Sequence, residues 1–174
     1  MTRAIYRSPW RIDVTVRDGV SVPTPLVVLA RAIAAALDAA GDVSPGAVER
    51  HASIGLILAD DTELAALNES HMGHRGPTDV LSFPLRPSPA FVLPPGARPH
   101  LGDIVVSVER AVEQAETGRG GHTGDVRWSS ADELRLLVIH GALHVCGLDH
   151  AEPGDEAAMR ALENRLLEET AARR

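Results

Sequence analysis

The stretch SSADELRLLVIHGALHVCG, Ser129 to Gly147, is the part of this chain with the fewest possible homes. Ser130 and Glu133 stand in capping-box relation and Gly147 is suited to ending a helix, so the spacing predicts a helix over 130–146. Leu134, Leu136, Leu137, Val138, Ile139, Ala142, Leu143 and Val145 fall on nearly every side of it. A helix apolar all round must be enclosed by other elements. The 174 residues, 44% of them apolar, are enough for one core that does this. Residues 1–174 therefore read as a single domain.

The same helix carries His140 and His144. Residues four apart differ by about 40° in direction and about 6 Å in height, so both rings aim at one spot. A left-handed Gly147 would turn the chain back and bring His150 to that spot from another side. Three neutral imidazoles leave one tetrahedral position open, the catalytic rather than the structural pattern for zinc. Histidines on a buried helix also occur as hydrogen-bonded core residues, but three unpaired rings would be costly there. The spacing is that of the long zinc-protease motif H-E-x-x-H-x-x-G-x-x-H, with Gly141 where the protease has its general base. Glycine neither takes nor delivers a proton, and its small size is expected to leave space beside the metal. Asp149 is the nearest carboxylate in sequence, suited to accepting the N–H of a ligand imidazole or, less simply, to shuttling a proton. Cys146 is the single cysteine, which rules out an internal disulfide and a cysteine-rich zinc knuckle. On a helix it is turned about 200° from His144 and reads as core.

The remaining residues divide by period and punctuation. Residues 12–16 alternate as a strand after a short lead, and a helix from Pro25 is expected to stop at Gly41. A buried strand over 51–60, a helix from Asp61 to about Asn68, a loop over 71–78 and a strand over 79–85 follow. Residues 86–100 contain five prolines and read as a surface excursion. A strand over 102–108, a helix over 109–116, a glycine-rich loop over 117–128 and an amphipathic last helix from Pro153 complete the chain. The predicted class is α+β, a mixed α/β layer with a four-stranded sheet and helices packed on it.

All 17 positive charges are arginine and the formal net charge is −7. An acidic total argues against a general nucleic-acid coat, which rests on summed phosphate contacts, though not against a local basic groove. No signal-peptide pattern and no membrane-length apolar run is present, so a cytoplasmic protein with no membrane partner is expected.

Taken together, HGALHVCGLDH resembles the hallmark H-G-x-L-H-x-x-G-x-D-H of the YbeY family of bacterial endoribonucleases, the rRNA maturation factors. His140, Gly141, Leu143, His144, Gly147, Asp149 and His150 meet every fixed position. Leu67 and Asn68 with PTDVLSFP over 77–84, and LGDIVVS over 101–107, are similar to two further signatures of that family. The resemblance spans about residues 50 to 150. It implies a zinc-dependent, single-strand-specific RNase with one Zn(2+) per chain on His140, His144 and His150. It also implies action in ribosomal RNA maturation and ribosome quality control, with RNA and ribosome-associated proteins as partners and DNA not expected. Thr78, Asp79 and Ser82 are then candidates for lining the substrate cleft, with a turn cap as the other role open to Thr78 and Asp79. Met72 stands where many members carry a substrate-contacting arginine. Arg75, at most about 10 Å further along an extended chain, is the candidate replacement, with a solvated loop charge as the other role open to it and Arg86 and Arg127 next. A function of another class is open as well: a ribosome-assembly factor in which the metal stabilises the fold and the protein acts by binding. A metallopeptidase is disfavoured by Gly141.

Overall fold

The computed structural model describes residues 1–44, 48–49, 51–86, 93–117, 128–148 and 153–171. Its elements run β1 (Thr2–Arg7), β2 (Trp10–Val16), α1 (Leu26–Val43), β3 (Ser53–Ala59), α2 (Asp61–Leu67), β4 (Val80–Pro84) and β5 (His100–Ser107). Then come α3 (Val108–Glu116), α4 (Ser130–Val145) and α5 (Pro153–Ala171). No helix among the described residues is long and apolar enough to cross a membrane.

The sheet has five strands, in the order β1-β2-β3-β5-β4, and not the four expected. The extra strand is β1, the supposed lead. Of its residues only Ile5 is buried, so it carries no alternation to read; its register comes from β2, with Thr2 opposite Thr15 and Arg7 opposite Trp10. The centre of the sheet is parallel, β2 to β3 and β3 to β5, and the two edges are antiparallel. A strand covered on both faces is apolar throughout, and SIGLILA of β3 is buried at every position but one. The register aligns Ile12 with Ile54 and Leu56 with Ile104, all fully buried in the main core together with Leu29, Ile33 and Leu37 of α1 and Leu134, Val138 and Ala142 of α4. Val105 and Leu81 are neighbours on the opposite face, which Leu64 of α2 covers.

Among the boundaries that differ from the sequence reading, three have a local cause. Helix α1 continues through Gly41 to Val43, and the N–H of Ser44 still reaches the Ala40 carbonyl at 3.0 Å. One glycine costs a helix only about 1 kcal/mol, less than the burial of Ala39 and Ala40 holds it in place. Helix α2 gives way to a π-helical turn, Asn68–Met72, and the Asn68 amide donates to the Gly76 carbonyl at 2.9 Å, tying the following loop back. Residues 87–92 of the excursion and 118–127 of the glycine-rich loop fall outside the described residues.

The third difference is at the start of α4, whose capping box is Ser129 with Asp132, one residue earlier than expected. The Asp132 N–H donates to the Ser129 hydroxyl at 3.2 Å and the Ser129 N–H donates to the Asp132 carboxylate at 3.0 Å. Glu133 is not free for this work, because it is buried and accepts from the Trp128 indole N–H. Arg135, also buried, donates to Asp132, to the Leu167 carbonyl at 3.2 Å and to the Thr170 hydroxyl at 3.3 Å, so it ties α5 to α4. Burial opposes ionisation of Asp132, but the hydrogen bonds from Ser129 and the Arg135 guanidinium outweigh it and hold the carboxyl below its ordinary 3.8. A depressed carboxyl stabilises the fold above its unfolded value and loses that contribution as pH falls through the folded one. Asp132→Asn should therefore cost roughly 1 kcal/mol near neutrality, the usual scale of a cap. The difference from wild type should begin to shrink as pH falls below about 4 and vanish only once the pH is below the depressed folded value, as urea melts across that range would record.

Candidate active site

Helix α4 packs against β4 and β5, with Gly141 against Ile104 and Ser82. His140 and His144, both half-buried, place their Nε2 atoms 3.0 Å apart with ring centroids at 4.4 Å and planes at 72°. The expected convergence of the i, i+4 pair is thus met. The helix ends in a Schellman arrangement around Gly147, whose φ is +85°. The Gly147 N–H donates to the His144 carbonyl at 2.9 Å and the Leu148 N–H to the Leu143 carbonyl at 3.1 Å. His150 and Asp149 lie outside the described residues, as does Arg127. Among the described residues no group of three or more histidine, cysteine or carboxylate side chains is placed to hold an ion together.

Behind His140 stands a residue that sequence reasoning missed. Glu163 of α5, 9% exposed, has its Oε1 2.7 Å from His140 Nδ1. The signal was present in the α5 pattern: Met159, Glu163, Leu166 and Thr170 recur at spacings of four, three and four and are all buried. A carboxylate in the apolar stripe of an amphipathic helix needs a partner.

Gly141 faces the sheet, not the histidines. A Cβ built there would lie 2.6 Å from Ile104 Cγ2 and 3.2 Å from Ser82 Oγ, so the glycine admits β5 rather than leaving space beside a metal. The Ser82 hydroxyl donates to the Gly141 carbonyl at 3.1 Å, fixing β4 against this turn of α4.

The two histidines open into a cleft of about 740 Å³, whose wall includes Met72, Ser82, Leu85, Arg86, His100 and Cys146. Of the proposed cleft residues, Ser82 is there. Thr78 and Asp79 are not among its described lining: the Thr78 hydroxyl donates to Asp79, and the other Asp79 oxygen accepts from the buried Gln114 at 3.1 Å, bracing β4 against α3. Arg75 is also absent from that lining; its side chain is 94% exposed and sits 3.9 Å from Glu69. Arg86 is the one arginine and Glu49 the one carboxylate among the described lining residues, so an acidic chain presents a cleft that is not acidic. Cys146, expected in the core, packs against it and is half-buried where it also meets the cleft wall. Burial pushes its thiol up to about 12, which keeps it a neutral, poorly reactive group.

The family model described as Endoribonuclease YbeY matches residues 26–171. The chain belongs to the YbeY endoribonuclease family. The Endoribonuclease YbeY of Mycobacterium ulcerans is 41% identical over 170 residues, covering 92% of this chain and 83% of that protein. The Salinispora tropica YbeY is 45% identical over 126 residues, covering 69% and 75%. The solution structure of TM1509 from Thermotoga maritima superposes with a TM-score of 0.52 at 25% identity, over 92% of this chain and 88% of that one.

Proposed function

We propose that this chain is a zinc-dependent endoribonuclease that cuts single-stranded RNA, acting in ribosomal RNA maturation and ribosome quality control alongside ribosome-associated proteins. The observation that carries this reading is the pair of Nε2 atoms facing each other at 3.0 Å on the floor of the cleft. Two nitrogens bound to one tetrahedral zinc at about 2.0–2.1 Å stand about 3.3 Å apart, so the pair fits an ion within a few tenths of an ångström. His140 and His144 would hold it, one ion per chain, with His150 as the expected third ligand and Asp149 as a candidate proton carrier or partner of a ligand ring.

A bound divalent ion would supply a Lewis acid for the scissile phosphoryl group. The chain's own residues bind and orient the strand. Arg86, exposed on the cleft wall, offers a permanently charged planar fork to a phosphate. Met72 and Leu85, 46% and 60% exposed, present apolar surface to unpaired bases in a chain with only 3% aromatic residues. The cleft volume is that of a site for a ligand-sized segment, which suits an unpaired strand rather than a duplex.

The test is zinc content together with cleavage of single-stranded RNA, duplex RNA and DNA by untagged protein. Stoichiometric zinc with cutting confined to single-stranded RNA supports the proposal. Zinc and RNA binding without cleavage above that of a histidine-ligand variant would replace it with the binding-only assembly factor. Arg86→Ala should weaken RNA binding and lower the slope of log K against log salt by roughly 0.7, the single-strand value per phosphate contact, with zinc content unchanged. Arg75→Ala, at a side chain 94% exposed and off the described lining, should leave that slope near wild type in the same salt titration.

A further inference from the structure

The buried carboxylate of Glu163 is the feature that the functional reading leaves unused. It comes from α5, is nearly enclosed, and approaches His140 Nδ1 at 2.7 Å, on the side of the ring away from the cleft pair. A carboxylate can only accept a hydrogen bond, whereas an amide can turn and donate. A neutral imidazole carries one proton, and whichever nitrogen lacks it is the one able to bind a metal. We propose that Glu163 is a positioning residue that holds His140 as the tautomer protonated on Nδ1, leaving the Nε2 lone pair to face His144 Nε2 and any ion between them. The role rests on the metal reading of the two histidines, yet it concerns a property of the ring that exists without metal. It also assigns to α5 the work that the sequence reading gave to Asp149.

Geometry favours control of the ring over simple charge pairing. The contact is made to Nδ1 and is short, and α5 is held in place independently by the Arg135 bonds to Leu167 and Thr170. The acceptor is thus fixed by the fold and the ring conforms to it. Partners of this kind typically change metal affinity by about 10–100-fold when removed.

The experiment uses the full chain stripped of metal, wild type and Glu163→Gln, with long-range proton–nitrogen NMR of the imidazoles and zinc affinity by chelator competition. The His140 signals are identified by their loss in His140→Asn. The wild type is expected to show a protonated Nδ1 and a bare Nε2. Glu163→Gln is expected to move population toward the opposite tautomer and to lose about 10–100-fold in zinc affinity. The melting temperature of its metal-free form should stay within a few degrees of wild type. A bare Nδ1, or both nitrogens protonated, in metal-free wild type would overturn the proposal without needing any variant to fold. So would a Glu163→Gln protein with unchanged tautomer and affinity within about twofold. Glu163→Asp, which remains acceptor-only, should recover part of the affinity that glutamine loses; a purely structural role would not distinguish the two. A wild type that holds the Nδ1 tautomer through Glu163 but binds no zinc would support the positioning role and sink the metal reading instead.

Discussion

His144→Ala should remove zinc binding and RNA cleavage together. The ring supplies one of the two nitrogens that converge at 3.0 Å, and alanine leaves His140 as the one helix residue aimed at that point. Losing an orienting partner costs a site about 10–100-fold, and losing a ligand should exceed that, so cleavage of single-stranded RNA should fall more than about a hundredfold. Metal content by elemental analysis and a timed cleavage assay on the same preparation provide the readout. Retained cleavage at wild-type rate with zinc lost would show that the ion is not part of the reaction. His144 is half-buried near the end of α4, so the metal-free variant should keep its far-UV spectrum.

Gly141→Ala should destabilise the protein although alanine is the better helix former by about 1 kcal/mol. The added Cβ would meet Ile104 Cγ2 at 2.6 Å, and Ile104 is a fully buried, β-branched residue in an interior strand, with little freedom to rotate away. Overpacking of this kind costs about 1–3 kcal/mol, which for a chain of this size is a melting temperature lower by about 2–10 °C. Shortening the neighbour tests the cause: Gly141→Ala combined with Ile104→Ala should lose less than the sum of the two single changes in denaturant unfolding. A Gly141→Ala protein that melts higher than wild type would mean that α4 has slack against the sheet.

Elements marked by a long apolar run or by clear capping and stop residues were legible in the sequence, and α4, β3 and the final helix lie where those signals put them. Strand β1 was not, because one buried residue in six carries no period and the pairing information sits in its partner. The capping box at Ser129 was missed by one position because Glu133 is drawn into the core by Trp128, a tertiary contact that no local pattern announces. In the site, the convergence of His140 and His144 follows from helix geometry alone. Arg86 depends on which segments fold beside the cleft; Glu163 shows in the buried stripe of α5, but its partner depends on which helix that stripe meets. The inference that Gly141 makes room for the metal failed for a related reason: sequence reveals that a residue is small, but not which neighbour needs the space.

That neighbour is a strand, and this bears on how such a chain could change its trade over evolutionary time. A glycine codon is one base change from a glutamate codon, so the protease motif looks one step away from HGALH. The close approach of Ile104 and the hydroxyl bond from Ser82 make that step a dead end in this fold. A carboxylate at 141 would be driven into β5 before it could serve any ion, and a lineage would first have to move its sheet.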